Sequence, residues 1–163
     1  MKALGKHLPQ KLRMTSSGFT LIELMVTIAV LAIIVGIAAP SISNQLANQR
    51  VKSTTATLAN ALKEARVESV IRRQKIKVSY NNNDKRAGTI EIKEDGNLNS
   101  AIATYKYDAR SSIKGGGNIK FKPNKTAEEE TYVICDTNTS ASPMQVKVNK
   151  LGNITTELEG KCS

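Results

Sequence analysis

Histidine, cysteine and the large aromatic side chains are nearly missing from this 163-residue sequence, and each shortage excludes something. The one histidine, His7, falls within the first twenty residues, and the only cysteines are Cys135 and Cys162. A zinc site built from four cysteines, from two cysteines and two histidines, or from three histidines is therefore ruled out. No Ser-His-Asp or Cys-His apparatus can form beyond the extreme N-terminus. No loop spaces carboxylates at EF-hand intervals. Lys114-Gly115-Gly116-Gly117 lacks the Gly-Lys-Ser/Thr that would complete a phosphate loop and reads as a hairpin turn. With no tryptophan and two phenylalanines, the core lacks the rings that usually dominate buried area. These absences describe a chain with no cofactor that binds or assembles and is not an enzyme.

Acidic residues are also scarce, 14 against 24 lysines and arginines, for a net charge of +10. Up to Ser17 the chain holds Lys2, Lys6, Lys11 and Arg13 and no acid, which marks a targeting segment. Residues 19–40 follow, 22 positions in which Glu23 is the only charge. About 20 such residues cross a bilayer as a helix. The leading cations outnumber Arg50 and Lys52 behind the span, which keeps the N-terminus cytoplasmic and places everything after Pro40 outside. An ordinary secretory signal fits poorly. The apolar stretch exceeds the roughly 7–15 residues of such a signal, and a cut after Ile37-Ala38-Ala39 would leave Pro40 just beyond it.

Glu23 allows two readings. A carboxylate near the middle of a span costs about 2.5–3.5 kcal/mol, and less near an end, so it marks a functional position. Thr20-Leu21-Ile22-Glu23 also has the form of a capping box, in which Glu23 accepts from the Thr20 N–H. Gly36 and Pro40 are helix-weakening residues within and at the end of the span.

Gly18-Phe19-Thr20-Leu21-Ile22-Glu23, after a basic leader and opening an apolar helix, resembles the class III signal of type IV pilins and type II secretion pseudopilins. The resemblance implies that a membrane-embedded prepilin peptidase cuts between Gly18 and Phe19 and that Phe19 becomes N-methylated. Residues 1–18 are then a leader, and 19–40 stay on the mature protein as a transmembrane and assembly helix. The new ammonium at Phe19 and Glu23, four residues on, supply opposite charges that neighbouring subunits can pair inside an apolar bundle, offsetting a desolvation penalty that neither ion bears alone. Gly36 and Pro40 correspond to a stretch that unwinds in filaments, or to a simple kink where the helix leaves the membrane.

Past Pro40, Ala47, Val51, Leu58, Leu62 and Ala65 recur at three-, four- or seven-residue spacings. Residues 41–73 thus form the amphipathic half of the helix, with one apolar face that a sheet must cover. In residues 74–163 the period changes to two. Ile76-Val78-Tyr80, Ile90-Ile92, Ala103-Tyr105-Tyr107, Ile119-Phe121, Tyr132-Ile134, Met144-Val146-Val148 and Ile154-Thr156 alternate with polar neighbours between turn clusters. The pattern predicts an α+β domain, a long N-terminal helix packed on antiparallel sheet of about seven short strands. Cys135 and Cys162 enclose 26 residues. Outside the cytoplasm the pair is expected to be bridged, and a loop of that length is worth about 3–3.5 kcal/mol in the chain-entropy account.

From Leu58 to Arg73, with Ile76 and Val78 following, the sequence is similar to the helix-to-first-strand segment of the GspH/FimT/FimU group of the pilin-like superfamily. That likeness implies a minor pilin in a tip complex that starts pilus assembly and so supports twitching motility, adhesion and DNA uptake. Its partners would be the prepilin peptidase, other minor pilins, the major pilin and the inner-membrane assembly platform. A type II secretion pseudopilin is the alternative. A third reading rests on charge: without the leader, 20 cations face 14 acids. Arg72, Arg73, Lys75 and Lys77 could contact DNA by displacing its counterions, although a solvated face accounts for the same residues. The implied location is the bacterial inner membrane, with the C-terminal domain periplasmic, and then the pilus.

Mass spectrometry of the chain isolated from its host's membranes should find methylated Phe19 at the N-terminus. An intact leader, or a cut at any other bond, would overturn this reading.

Overall fold

The computed structural model describes residues 18–83, 86–96 and 101–162. Residues 1–17 of the basic leader and the turn residues Asp84 and Asn97 lie outside them. One helix, α1, spans Leu21–Arg72, and eight strands follow: β1 (Ile76–Asn81), β2 (Gly88–Glu94), β3 (Ala101–Tyr107), β4 (Ser111–Lys114), β5 (Ile119–Phe121), β6 (Glu130–Asp136), β7 (Met144–Val148) and β8 (Ile154–Glu157). By contacts the chain divides into two compact units, one ending at Ala38 and the other running from Ala39. The range of α1 includes both Gly36 and Pro40.

In the second unit the strands form two antiparallel sheets ordered β3-β2-β1-β5 and β4-β6-β7-β8. Ala47, Val51, Leu58, Leu62 and Ala65 on α1 are all buried, as their spacing requires. Against them lie the inward positions of both sheets. In the first sheet, Val78 of β1 pairs with Ile92 of β2 and Ile119 of β5; in the second, Ile113 and Met144 flank Ile134. The seven strands read from alternation are all present. The eighth, β4, was not expected, because Ser111-Ser112-Ile113-Lys114 carries a single apolar residue and no measurable alternation.

The few large rings are used fully. All four tyrosine hydroxyls donate hydrogen bonds: Tyr80 to the Gly115 carbonyl at 2.9 Å, Tyr132 to the Gly117 carbonyl at 2.9 Å, Tyr105 to Glu64 on α1, and Tyr107 to Asn82 Oδ1 at 2.6 Å. Burial, with Tyr80 nearby, pushes the Tyr107 hydroxyl up to about 12. The Asn82 side chain in turn accepts from the Ile113 N–H at 2.9 Å and donates to the Ile113 carbonyl at 2.8 Å. One amide therefore satisfies both backbone groups of a β4 residue from the end of β1, and it fastens one sheet to the other. Gly88 leaves room for this arrangement, since a Cβ there would lie 2.1 Å from the Tyr107 ring.

Two long-range ties hold α1 and the C-terminus to β6. Cys135 and Cys162 are bridged, as expected. Arg50 on α1 grips Asp136 with two parallel bonds, Nε to Oδ2 at 2.8 Å and Nη2 to Oδ1 at 3.0 Å. The Asp136 side chain is fully buried and the Arg50 side chain 18% exposed. Burial by itself would raise Asp136. The Arg50 hydrogen bonds, the Asn138 N–H and the charges of Arg50 and Arg110 outweigh it and hold the carboxyl below the ordinary carboxylate range.

A depressed carboxylate stabilises the fold above its unfolded value, near 3.9, and the stabilisation is lost as pH falls through the folded value. Arg50→Met should strand a buried charge and cost about 3 kcal/mol at neutral pH, read by urea unfolding of a fragment beginning at Ser41. The deficit relative to wild type should shrink below about pH 4. A pH-independent deficit would mean that the loss comes from packing and not from the pair. Reduction of the bridge in the same fragment should cost a further ~3 kcal/mol.

Candidate assembly surface

The first half of α1 is apolar around its whole circumference and uncovered in the single chain. Phe19 is 84% exposed, and the large apolar residues from Leu21 to Ile37 are all exposed. The helix is long and apolar enough to cross a membrane, and none of its most apolar 18-residue window is buried. A surface of this kind is covered either by lipid or by other helices.

Glu23 is placed by the cap at its head. The Thr20 N–H donates to Glu23 Oε2 at 3.1 Å, the Thr20 hydroxyl donates to the same oxygen at 3.2 Å, and the Glu23 N–H donates back to Thr20 Oγ1 at 3.2 Å. This is the reciprocal capping box that the sequence allowed. All the bonds it makes to the carboxylate fall on Oε2, and Oε1 accepts none among the described residues. The cap therefore leaves an acceptor available to a cation from elsewhere. Gly36 and Pro40 stand four residues apart, so the carbonyl that Pro40 cannot satisfy is that of Gly36. The two weak points of the helix are one missing rung.

The residues singled out for DNA contact are not gathered as one set of open cations. Arg72 is engaged by Glu68 at 2.5 Å and Glu94 at 3.3 Å. Arg73, just past the helix, has φ of 55° and occupies the left-handed position that ends many helices. Lys75 lends its carbonyl to the Asp95 N–H. Lys77 lies in register between Lys93 and Lys120 on the outer face of its sheet, and those neighbours pair with Glu91 and Asp95. Among the described residues no cluster of His, Cys, Asp or Glu could hold a metal ion.

Two features escaped sequence reasoning. The Arg50–Asp136 pair joins residues 86 positions apart and leaves no local signature. Val67, Val70 and Ile71 are 55%, 37% and 68% exposed, and a helical wheel would have shown them off the stripe that runs through Leu58, Leu62 and Ala65.

Comparison with known proteins agrees with this geometry. The prokaryotic N-terminal methylation motif matches residues 13–39. The fold is similar to that of the type IV minor pilin FimU of Pseudomonas aeruginosa in two crystal forms, at 20% identity in both. The TM-scores are 0.54 and 0.57; the matches cover 65% and 67% of this chain and 91% and 89% of FimU. It is also similar to the minor pseudopilin EpsH of the Vibrio cholerae type 2 secretion system. There the TM-score is 0.51 at 11% identity, over 69% of this chain and 99% of EpsH. Motif and architecture converge: the chain carries the prokaryotic N-terminal methylation motif at the head of a fold similar to those of FimU and EpsH.

Proposed function

We propose that the chain is a minor pilin of a type IV pilus. Prepilin peptidase removes residues 1–18, Phe19 is methylated, and the mature helix waits in the inner membrane with its C-terminal domain in the periplasm. The assembly platform then draws it into a tip complex with other minor pilins, from which the major pilin extends. Piliation would in turn support twitching motility, adhesion and DNA uptake.

The observation that carries this reading is Glu23, a lone carboxylate with one oxygen unengaged among the described residues, four residues past Phe19 on an uncovered apolar helix. An N-methylated amine stays cationic. Taken into a bundle of apolar helices, it needs an anion at a fixed height, and a neighbour's Glu23 supplies one. Unpaired, either ion would resist entry, because desolvation costs several kcal/mol per ion. Gly36 and Pro40 would let the helix yield where its hydrogen-bond ladder is already broken.

Similarity to EpsH over nearly all of that protein supports a second reading, a pseudopilin of type II secretion. The same N-terminal chemistry would serve it. A deletion strain separates the two: loss of surface pili with normal protein export favours the pilus, and the converse favours secretion.

In a complemented deletion strain, Glu23→Ala should reduce surface pili severalfold, counted by electron microscopy or shearing. Glu23→Gln keeps an oxygen for the Thr20 cap and removes the charge, so it should fail equally. Wild-type piliation in Glu23→Gln would show that capping is the whole of the residue's work.

A further inference from the structure

The exposed apolar residues at the end of α1 surround a hollow of about 330 Å³ lined by Arg66, Val67, Val70, Ile71 and Lys125. They lie on the side of the helix away from its buried stripe, so the fold does not use them. The charge around the hollow is positive and unanswered. Arg66 Nε is buried with no partner, its Nη2 donates only to the Leu151 carbonyl at 3.3 Å, and neither Arg66 nor Lys125 has an acidic partner among the described residues.

The complementary shape and charge occur on the same chain. Just past β8, Leu158 is 70% exposed and stands between Glu157 and Glu159. Those two carboxylates are held by Lys147 at 2.7 and 3.9 Å, and the Gln145 amide donates to Glu159 at 2.7 Å. Two acids share one bridging cation, so the tip is an oriented apolar side chain flanked by carboxylates.

Tip and hollow cannot meet within one molecule. The hollow lies beside the β7–β8 turn, where Leu151 touches Arg66, and Leu158 is at the other end of β8. The four extended residues of β8 separate them, about 13 Å. The pairing of Glu157 with Gln145 fixes that end of the strand.

We infer that the hollow receives the Glu157-Leu158-Glu159 tip of a second copy of this chain. Leu158 enters among Val67, Val70 and Ile71, and the flanking carboxylates meet Arg66 and Lys125. The two surfaces differ, so the contact is head-to-tail and open-ended: each copy that offers a tip still has an empty hollow. One leucine and two ion pairs bury far less than the roughly 1,200 Å² of a stable interface. The contact therefore acts between chains already concentrated in one membrane or one assembly. It stands apart from the choice between pilus and secretion.

The test uses the full chain in phospholipid vesicles, as an equal mixture of nitrogen-15-labelled and unlabelled protein. A water-soluble carbodiimide joins carboxylates to amines in contact. Mass spectrometry should find Glu157 or Glu159 linked to Lys125 in peptides of mixed isotope. Leu158→Ser and Val70→Ser, both at exposed positions and expected to leave the unfolding temperature unchanged, should each lower the yield at least fivefold. Lys125→Glu should abolish the link, and a mixture of that variant with Glu159→Lys chains should restore one of reversed polarity. No mixed-isotope link, or an equal yield in Leu158→Ser, would overturn the proposal. So would cross-linking in host membranes that joins Lys125 to another protein and never to its own kind.

Discussion

The stripe along the second half of α1 must be removed from water, and most of the C-terminal architecture follows from how that is done. A helix covers one side of a sheet, but here two four-stranded sheets share one helix, and Val51, Leu58 and Leu62 lie in the core common to both. Burying a residue of that size is worth about 1.5–3 kcal/mol, so the stripe supplies much of what holds the second unit together. Its alanines matter as much as its leucines. Ala47, Ala59, Ala61 and Ala65 are fully or almost fully buried, and small side chains let the strands come close enough for a core of isoleucine and valine to fill the space without large rings.

Polar devices then supply what the aliphatic core does not. Buried Thr55 and Ser69 turn their hydroxyls to backbone carbonyls, so the stripe tolerates them. Arg50 reaches from the helix to Asp136 beside the cysteine bridge, and together they secure one end of β6. The tyrosines tie the 115–117 turn and the β1 end into place. Each buried polar group in this set has a partner, as interiors require. Among the described residues, Arg66 Nε and the Ser111 hydroxyl are buried without one.

How much of this could be read beforehand depended on whether the signal was local. The apolar run and the methylation motif at its head were legible outright, because a charge in an apolar helix stands out against its neighbours. The stripe and seven strands were legible as periods of 3.6 and 2. The strand Ser111–Lys114 was hidden because one isoleucine makes no period; it is held by β6 and by Asn82, both distant in sequence. Arg50 and Asp136 were hidden for the same reason. Asn82 was read as turn punctuation, and no property of an Asn-rich loop says that one of its amides will stand in for a strand. The bridge was predictable from compartment, since two cysteines allow only one pairing.

That amide closes the seam between the sheets by two hydrogen bonds to a single residue, where a ladder would have used many. Its chemistry is also perishable. Spontaneous hydrolysis of Asn82 to aspartate would remove the donor and set a negative oxygen against the Ile113 carbonyl, two acceptors face to face. Old molecules of this protein would therefore carry a weakened seam between their sheets, before any change in the apolar core.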